Sequence, residues 1–179
     1  MQLYEVIVMS ITFLSEETTR YYEDMWIAKQ LKELSKGKYY FSNDQVFGKS
    51  KKEFWSIISN EEWRDISFHY ELSWTNGVPM SKVSKLNILI HLETKSGREE
   101  LYIKARECFE KHGYIFKADA KEGAFLAPDG SKIKEFVIPD FSSEETAKQT
   151  IINIIEVLES PAYQNCAKII DEFISSLDK

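Results

Sequence analysis

The 179-residue sequence is poor in cysteine (Cys108 and Cys166), in proline (four) and in glycine (seven), and it has no long apolar run. Two cysteines, each inside a helical pattern, offer no disulfide framework, so a reduced, cytoplasmic compartment is the simplest reading and both thiols read as packing groups. The longest apolar stretches are Val6 to Met9 and Ile151 to Leu158, the latter broken by Asn153 and Glu156. Both fall short of the roughly 18 residues of a membrane-spanning helix, so no membrane partner is expected. The first residues, Met-Gln-Leu-Tyr-Glu, place no basic segment ahead of an apolar one and do not read as a secretory signal. There is no Gly-x-Gly-x-x-Gly and no serine in a nucleophile elbow. Gly48-Lys49-Ser50 lacks the first glycine of a phosphate-binding loop, because Asn43 stands at that position. Low-complexity stretches and internal repeats are absent as well, which excludes disordered tails and solenoids.

What remains is an ordinary globular composition, 43% apolar and 13% aromatic, enough for one domain over 1–179 with a core of its own. The net charge of -6 is local. Residues 1–134 carry 20 acids and 20 bases, whereas 135–179 carry nine acids and three bases. Within the balanced part, 25–52 holds seven lysines against Glu33 and Asp44. The chain is a dipole in sequence.

Periodicity predicts the elements. Residues 3 to 13, β-branched and aromatic, read as a first strand. A helix from Ser15 to about Lys36 carries Ile27, Leu31 and Leu34 and stops at Gly37. Lys38 to Phe41 reads as a short strand. Ser50 with Glu53 forms a capping box, and Phe54, Ile57 and Ile58 predict a helix after it. The clearest signal is strict alternation from Asp65 to Trp74 and again along Leu86 to Glu93, an antiparallel hairpin spanning 65–74 and 85–95. Ser96 and Glu99 open a helix that puts Leu101, Ala105, Cys108 and Phe109 inward and ends at Gly113, beside His112. Short strands follow near 114–118, 124–127 and 133–138. A capping box of Ser142 and Glu145 opens a helix to Leu158, and Ser160-Pro161 starts a last one, giving a C-terminal helical pair over 142–178. The fold class is therefore α+β, a mostly antiparallel sheet centred on the hairpin and flanked by helices.

The polar face of that hairpin gathers the chemistry. If Asp65 pairs near Lys95, then Asp65, His69, Glu71, His91, Glu93 and Lys95 project from one side of two neighbouring strands. Alternation alone makes such a face polar, and a solvated surface is one reading. The other is a site, since two facing His-x-Glu units offer imidazole and carboxylate ligands suited to zinc, iron or manganese. The order helix, hairpin, helix, strand, with Asp65 opening the first long strand and Glu93-Thr94-Lys95 closing the second, resembles the core of PD-(D/E)XK nucleases over residues 16 to 118. The resemblance implies a divalent ion, Mg2+ or Mn2+, held by Asp65 and Glu93, with Lys95 orienting or activating water for phosphodiester hydrolysis. It equally fits an inactive relative that kept the scaffold. Outside the hairpin, Lys36, Lys38, Lys49, Lys51 and Lys52 flank Tyr39, Tyr40, Phe41 and Phe47, an arrangement that would follow a nucleic-acid backbone and stack bases.

Beside a metal or small-ligand site built on His69 and His91, two functional expectations follow. The first is a non-enzymatic macromolecule-binding protein, of adaptor, immunity or inhibitor type, that needs no cofactor and meets another protein through its acidic C-terminal helices or exposed aromatics. A homodimer through those helices is one form of this. The second is the metal-dependent nuclease, or its inactive relative, acting on nucleic acid.

Overall fold

The computed structural model describes residues 16–42, 53–60, 63, 68–75, 78–93, 97–117, 122–131 and 133–177. In chain order the elements are α1 (Glu16–Leu34), β1 (Tyr40–Ser42), β2 (Glu53–Ser59), β3 (Phe68–Thr75), a 3-10 turn (Met80–Lys82), β4 (Leu86–Glu93), α2 (Glu99–Lys111), β5 (Ile115–Lys117), β6 (Glu122–Leu126), β7 (Lys134–Val137), α3 (Glu144–Leu158) and α4 (Pro161–Leu177). The seven strands form one sheet in the order β1-β2-β3-β4-β6-β5, every pairing antiparallel. Both β6 and β7 lie on the same flank of β4, β6 along its last residues and β7 along its first. The chain is an α+β protein built on an antiparallel sheet, with the β3–β4 hairpin at its centre and two helices closing its C-terminal end.

The hairpin register sets the two faces. Phe68 pairs with Leu92, Tyr70 with Ile90 and Leu72 with Ile88, and all six are buried. Aromatics of the helices cover this apolar face: Phe109 of α2 stacks on Phe68 with ring centroids 5.9 Å apart, and Tyr163 of α4 lies 5.7 Å from Tyr70. Trp63 packs edge-on against Phe68 and Tyr70 while its indole N–H donates to Asp171 Oδ1 at 2.7 Å, tying the segment before β3 to α4. The Tyr163 hydroxyl is wedged into the sheet itself. It accepts from the Glu135 backbone N–H at 3.1 Å and donates to the Ile88 carbonyl at 2.6 Å, bridging the registered pair of β4 and β7.

One expectation fails. The segment after Ser50 is not a helix: Glu53–Ser59 is strand β2, paired on both sides by β1 and β3. Phe54, Trp55, Ile57 and Ile58 are aromatic or β-branched, so their intrinsic preference is for a pleated surface, and a two-sided ladder overrides a local capping pattern. Smaller shifts concern caps. The N-cap of α3 is Ser143, not Ser142, and its box is closed by Thr146, whose hydroxyl accepts from the Ser143 N–H at 3.1 Å. At α2 the Glu99 carboxylate accepts from the Gly97 N–H at 3.1 Å, and Arg98 occupies the cap position. Helix α1 ends as its sequence predicts, with Gly37 at φ +81° donating back to the Lys32 carbonyl at 2.8 Å. The expected strand over 3 to 13 and the Ser50 and Ser96 cap positions lie outside the described residues.

Candidate metal centre

On the second face of the hairpin, His69 is directly opposite His91, with Glu71 two residues beyond one and Glu93 two residues beyond the other. Period-two alternation sends all four side chains to the same side. One ligand atom from each lies within 4.8 Å of the other three. His91 Nδ1 is 3.2 Å from Glu71 Oε2 and 3.6 Å from Glu93 Oε1, and His69 Nε2 is 3.9 Å from Glu93 Oε1. The two imidazole rings are 5.7 Å apart, centroid to centroid.

The face is not a simple solvated surface. His69 and Glu71 are buried, at 5% and 8% exposure, and His91 is half-buried. Glu93 is the most open of the four, with 38% of its side chain exposed. Hydrogen bonding to His91 holds the Glu93 carboxyl below the usual carboxylate range, helped by the charge of His69 and against the pull of partial burial. Two carboxylates and two imidazoles at these separations form a compact polar cluster on a rigid pair of strands. Around an ion with bonds of about 2.0 to 2.1 Å, tetrahedral donors stand roughly 3.3 Å apart, so the three short separations already approach coordination distance.

Of the residues named for the nuclease arrangement, Glu93 belongs to this cluster, while Asp65 and Lys95 lie outside the described residues. The metal set of Glu71, His69, His91 and Glu93 is brought together as one group. In the basic stretch, Lys36 is exposed in the left-handed region at φ +55°, and Lys38 is committed to an ion pair with Glu159, 2.7 Å away. Lys49, Lys51 and Lys52 lie outside the described residues.

Sequence reasoning missed a second polar group. Arg20, Glu23 and Asp24 of α1 are buried, at 4%, 1% and 4% exposure, with Arg20 Nε 3.6 Å from Asp24 Oδ2. One guanidinium faces two carboxyls. Burial pushes the Glu23 carboxyl up to about 7, partly offset by Ser81 and the backbone of Met80. Burial likewise lowers Arg20, against the attraction of Asp24 and Glu23. The available signal was the poor separation of polar and apolar residues around α1, since a helix without an outward polar face must bury some of its charges.

No protein-family description, curated protein or solved structure matches this chain. Among the described residues, no helix is long and apolar enough to cross a membrane.

Proposed function

We propose that this protein binds one divalent transition-metal ion through His69, Glu71, His91 and Glu93. The observation that carries the reading is the convergence of four donor atoms within 4.8 Å on two adjacent strands, two of the residues buried. Mixed imidazole and carboxylate ligands favour zinc, manganese or iron over magnesium or calcium, which prefer all-oxygen sites. Glu93, the most exposed ligand, marks the side from which solvent or a substrate oxygen would reach the ion. An ion held here has the Lewis acidity to polarise a carbonyl or phosphoryl group or to activate water.

The test is thermal unfolding of the metal-stripped protein with Zn2+, Mn2+, Fe2+ and Mg2+, alongside the His69→Ala/His91→Ala variant. Binding to the native state alone stabilises by about 2.7 kcal/mol at a hundredfold excess over Kd, a readily measured rise in Tm. We expect that rise with at least one transition metal and its loss in the double variant. No shift with any of them removes the reading.

A second reading, phosphodiester hydrolysis of the PD-(D/E)XK kind, draws support from Glu93, which is common to both ligand sets. It requires Asp65 and Lys95 and does not require the histidines. Cleavage of DNA and RNA with Mg2+ or Mn2+, lost in Asp65→Ala and Glu93→Ala but retained in His69→Ala, supports it; activity that survives both acidic substitutions excludes these residues from the mechanism.

A further inference from the structure

We infer that β7 is a docking edge for an extended, basic segment of another protein, a function separate from the metal centre. Among the described residues β7 pairs only with β4, and no described strand lies along its outer edge. The Glu135 N–H is directed inward to the Tyr163 hydroxyl, and backbone groups alternate along a strand, so the N–H and C=O of Phe136 turn outward. Lys134 and Glu135 bring charge to the start of this short strand, but the residues that follow them do not. Phe136 and Ile138 are 52% and 68% exposed, although open edges are ordinarily blunted by charges or covered. A groove of about 500 Å³ opens along this edge, with Glu135, Phe136 and Ile138 of the strand segment and Asn153, Glu156 and Val157 of α3 in its lining.

Charge decides the occupant. Among the described residues, Glu135 and Glu156 are the charged ones lining the groove, and no described lysine or arginine lines it. Register assigns Glu135 to the helix side of the sheet, opposite Ile88, and Phe136 to the other side, opposite Asn87. The Lys85 ammonium already sits 4.1 Å from the Phe136 ring, so that side disfavours a further cation and accepts an apolar group. The partner strand therefore alternates, with lysine or arginine toward Glu135 and Glu156 and an apolar residue toward Phe136. Backbone pairing supplies affinity and the alternate side chains supply specificity, the logic of strand addition at an open edge. A second copy of this chain is a poorer occupant, because it would bring two molecules of net charge -6 together at their acidic ends.

The experiment measures binding of a labelled synthetic peptide of alternating lysine and valine to the full chain by fluorescence anisotropy. Controls are an alternating glutamate and valine peptide, and a lysine and valine peptide N-methylated at alternate positions, which keeps charge and loses backbone pairing. We expect binding of the first peptide alone, weakened by about tenfold or more in Glu135→Lys/Glu156→Lys and in Phe136→Asp, each checked for native circular dichroism. Equal binding of the N-methylated peptide reduces the effect to general acidity and overturns the inference. So does binding indifferent to both variants, no binding of the first peptide, or sedimentation showing a dimer that Phe136→Asp dissociates.

Discussion

Glu23 is a carboxyl of α1 only 1% exposed, beside Ser81 of the 3-10 turn, with one guanidinium nearby and Asp24 competing for it. Its folded pKa stands near 7, above the unfolded value, so the native state holds a proton that the unfolded chain releases. Stability from this group is fully present below the unfolded pKa and is lost as pH rises toward 7. Replacing it by the neutral, isosteric amide removes the dependence. Glu23→Gln is expected to exceed wild type by about 3 kcal/mol at pH 8 and to match it near pH 4, as read from urea unfolding. Tyr163 makes an opposite kind of contribution, filling a gap in the backbone ladder that a phenyl ring would leave open. Tyr163→Phe strands the Glu135 N–H and Ile88 C=O, and should cost about 1 to 3 kcal/mol in the same measurement. Cys166, whose thiol burial pushes up to about 12, should remain unmodified by alkylating reagents in the native state.

Elements succeed or fail by the partners they find. The hairpin needs no rescue from context, because its alternation carries seven buried apolar residues on one face: Phe68, Tyr70 and Leu72 from β3, and Leu86, Ile88, Ile90 and Leu92 from β4. Helix α3 rests on its cap. Ser143 Oγ accepts from the Thr146 N–H at 3.1 Å, and two glutamates follow in the first turn, where the helix dipole favours negative charge. Ser143→Ala is expected to lower stability by about 1 kcal/mol, while Ser142→Ala, one residue outside the helix, should change it far less. That pair of variants distinguishes the observed cap from the one the Ser142/Glu145 spacing predicts. Strand β2 shows the limit of local reasoning: Phe54, Ile57 and Ile58 satisfy a helical spacing and a buried strand alike, and only the presence of β1 and β3 on either side selects between them.

Across the whole molecule, the charge dipole of the sequence is partly folded back on itself. Lys38, from the basic stretch, reaches Glu159 at the corner between α3 and α4, and Tyr39 donates to the same carboxylate at 2.6 Å. Partial burial pulls Glu159 upward, but these partners outweigh it and hold the carboxyl below its ordinary range. Its stabilisation is therefore present above the unfolded pKa and lost as pH falls through the folded one, the reverse of Glu23. Both ends of the pair are about two-fifths exposed, so Glu159→Gln should cost no more than about 1 kcal/mol at pH 7, and less as salt is added.

Sequence alone determined the α+β class, the hairpin and its polar and apolar faces, the C-terminal helices and the membership of His69, Glu71, His91 and Glu93 on one face, because these follow from period and alternation within short stretches. The β2 assignment, the burial of Arg20, Glu23 and Asp24, the Tyr163 bridge and the open edge of β7 each depend on groups distant in the chain. Even at the candidate metal centre, alternation places four side chains on a face but says nothing of how deep they lie. Burial of His69 and Glu71, which separates a compact site from a wet surface, was decided by tertiary packing, since exposure is a property of what covers a strand and not of the strand itself.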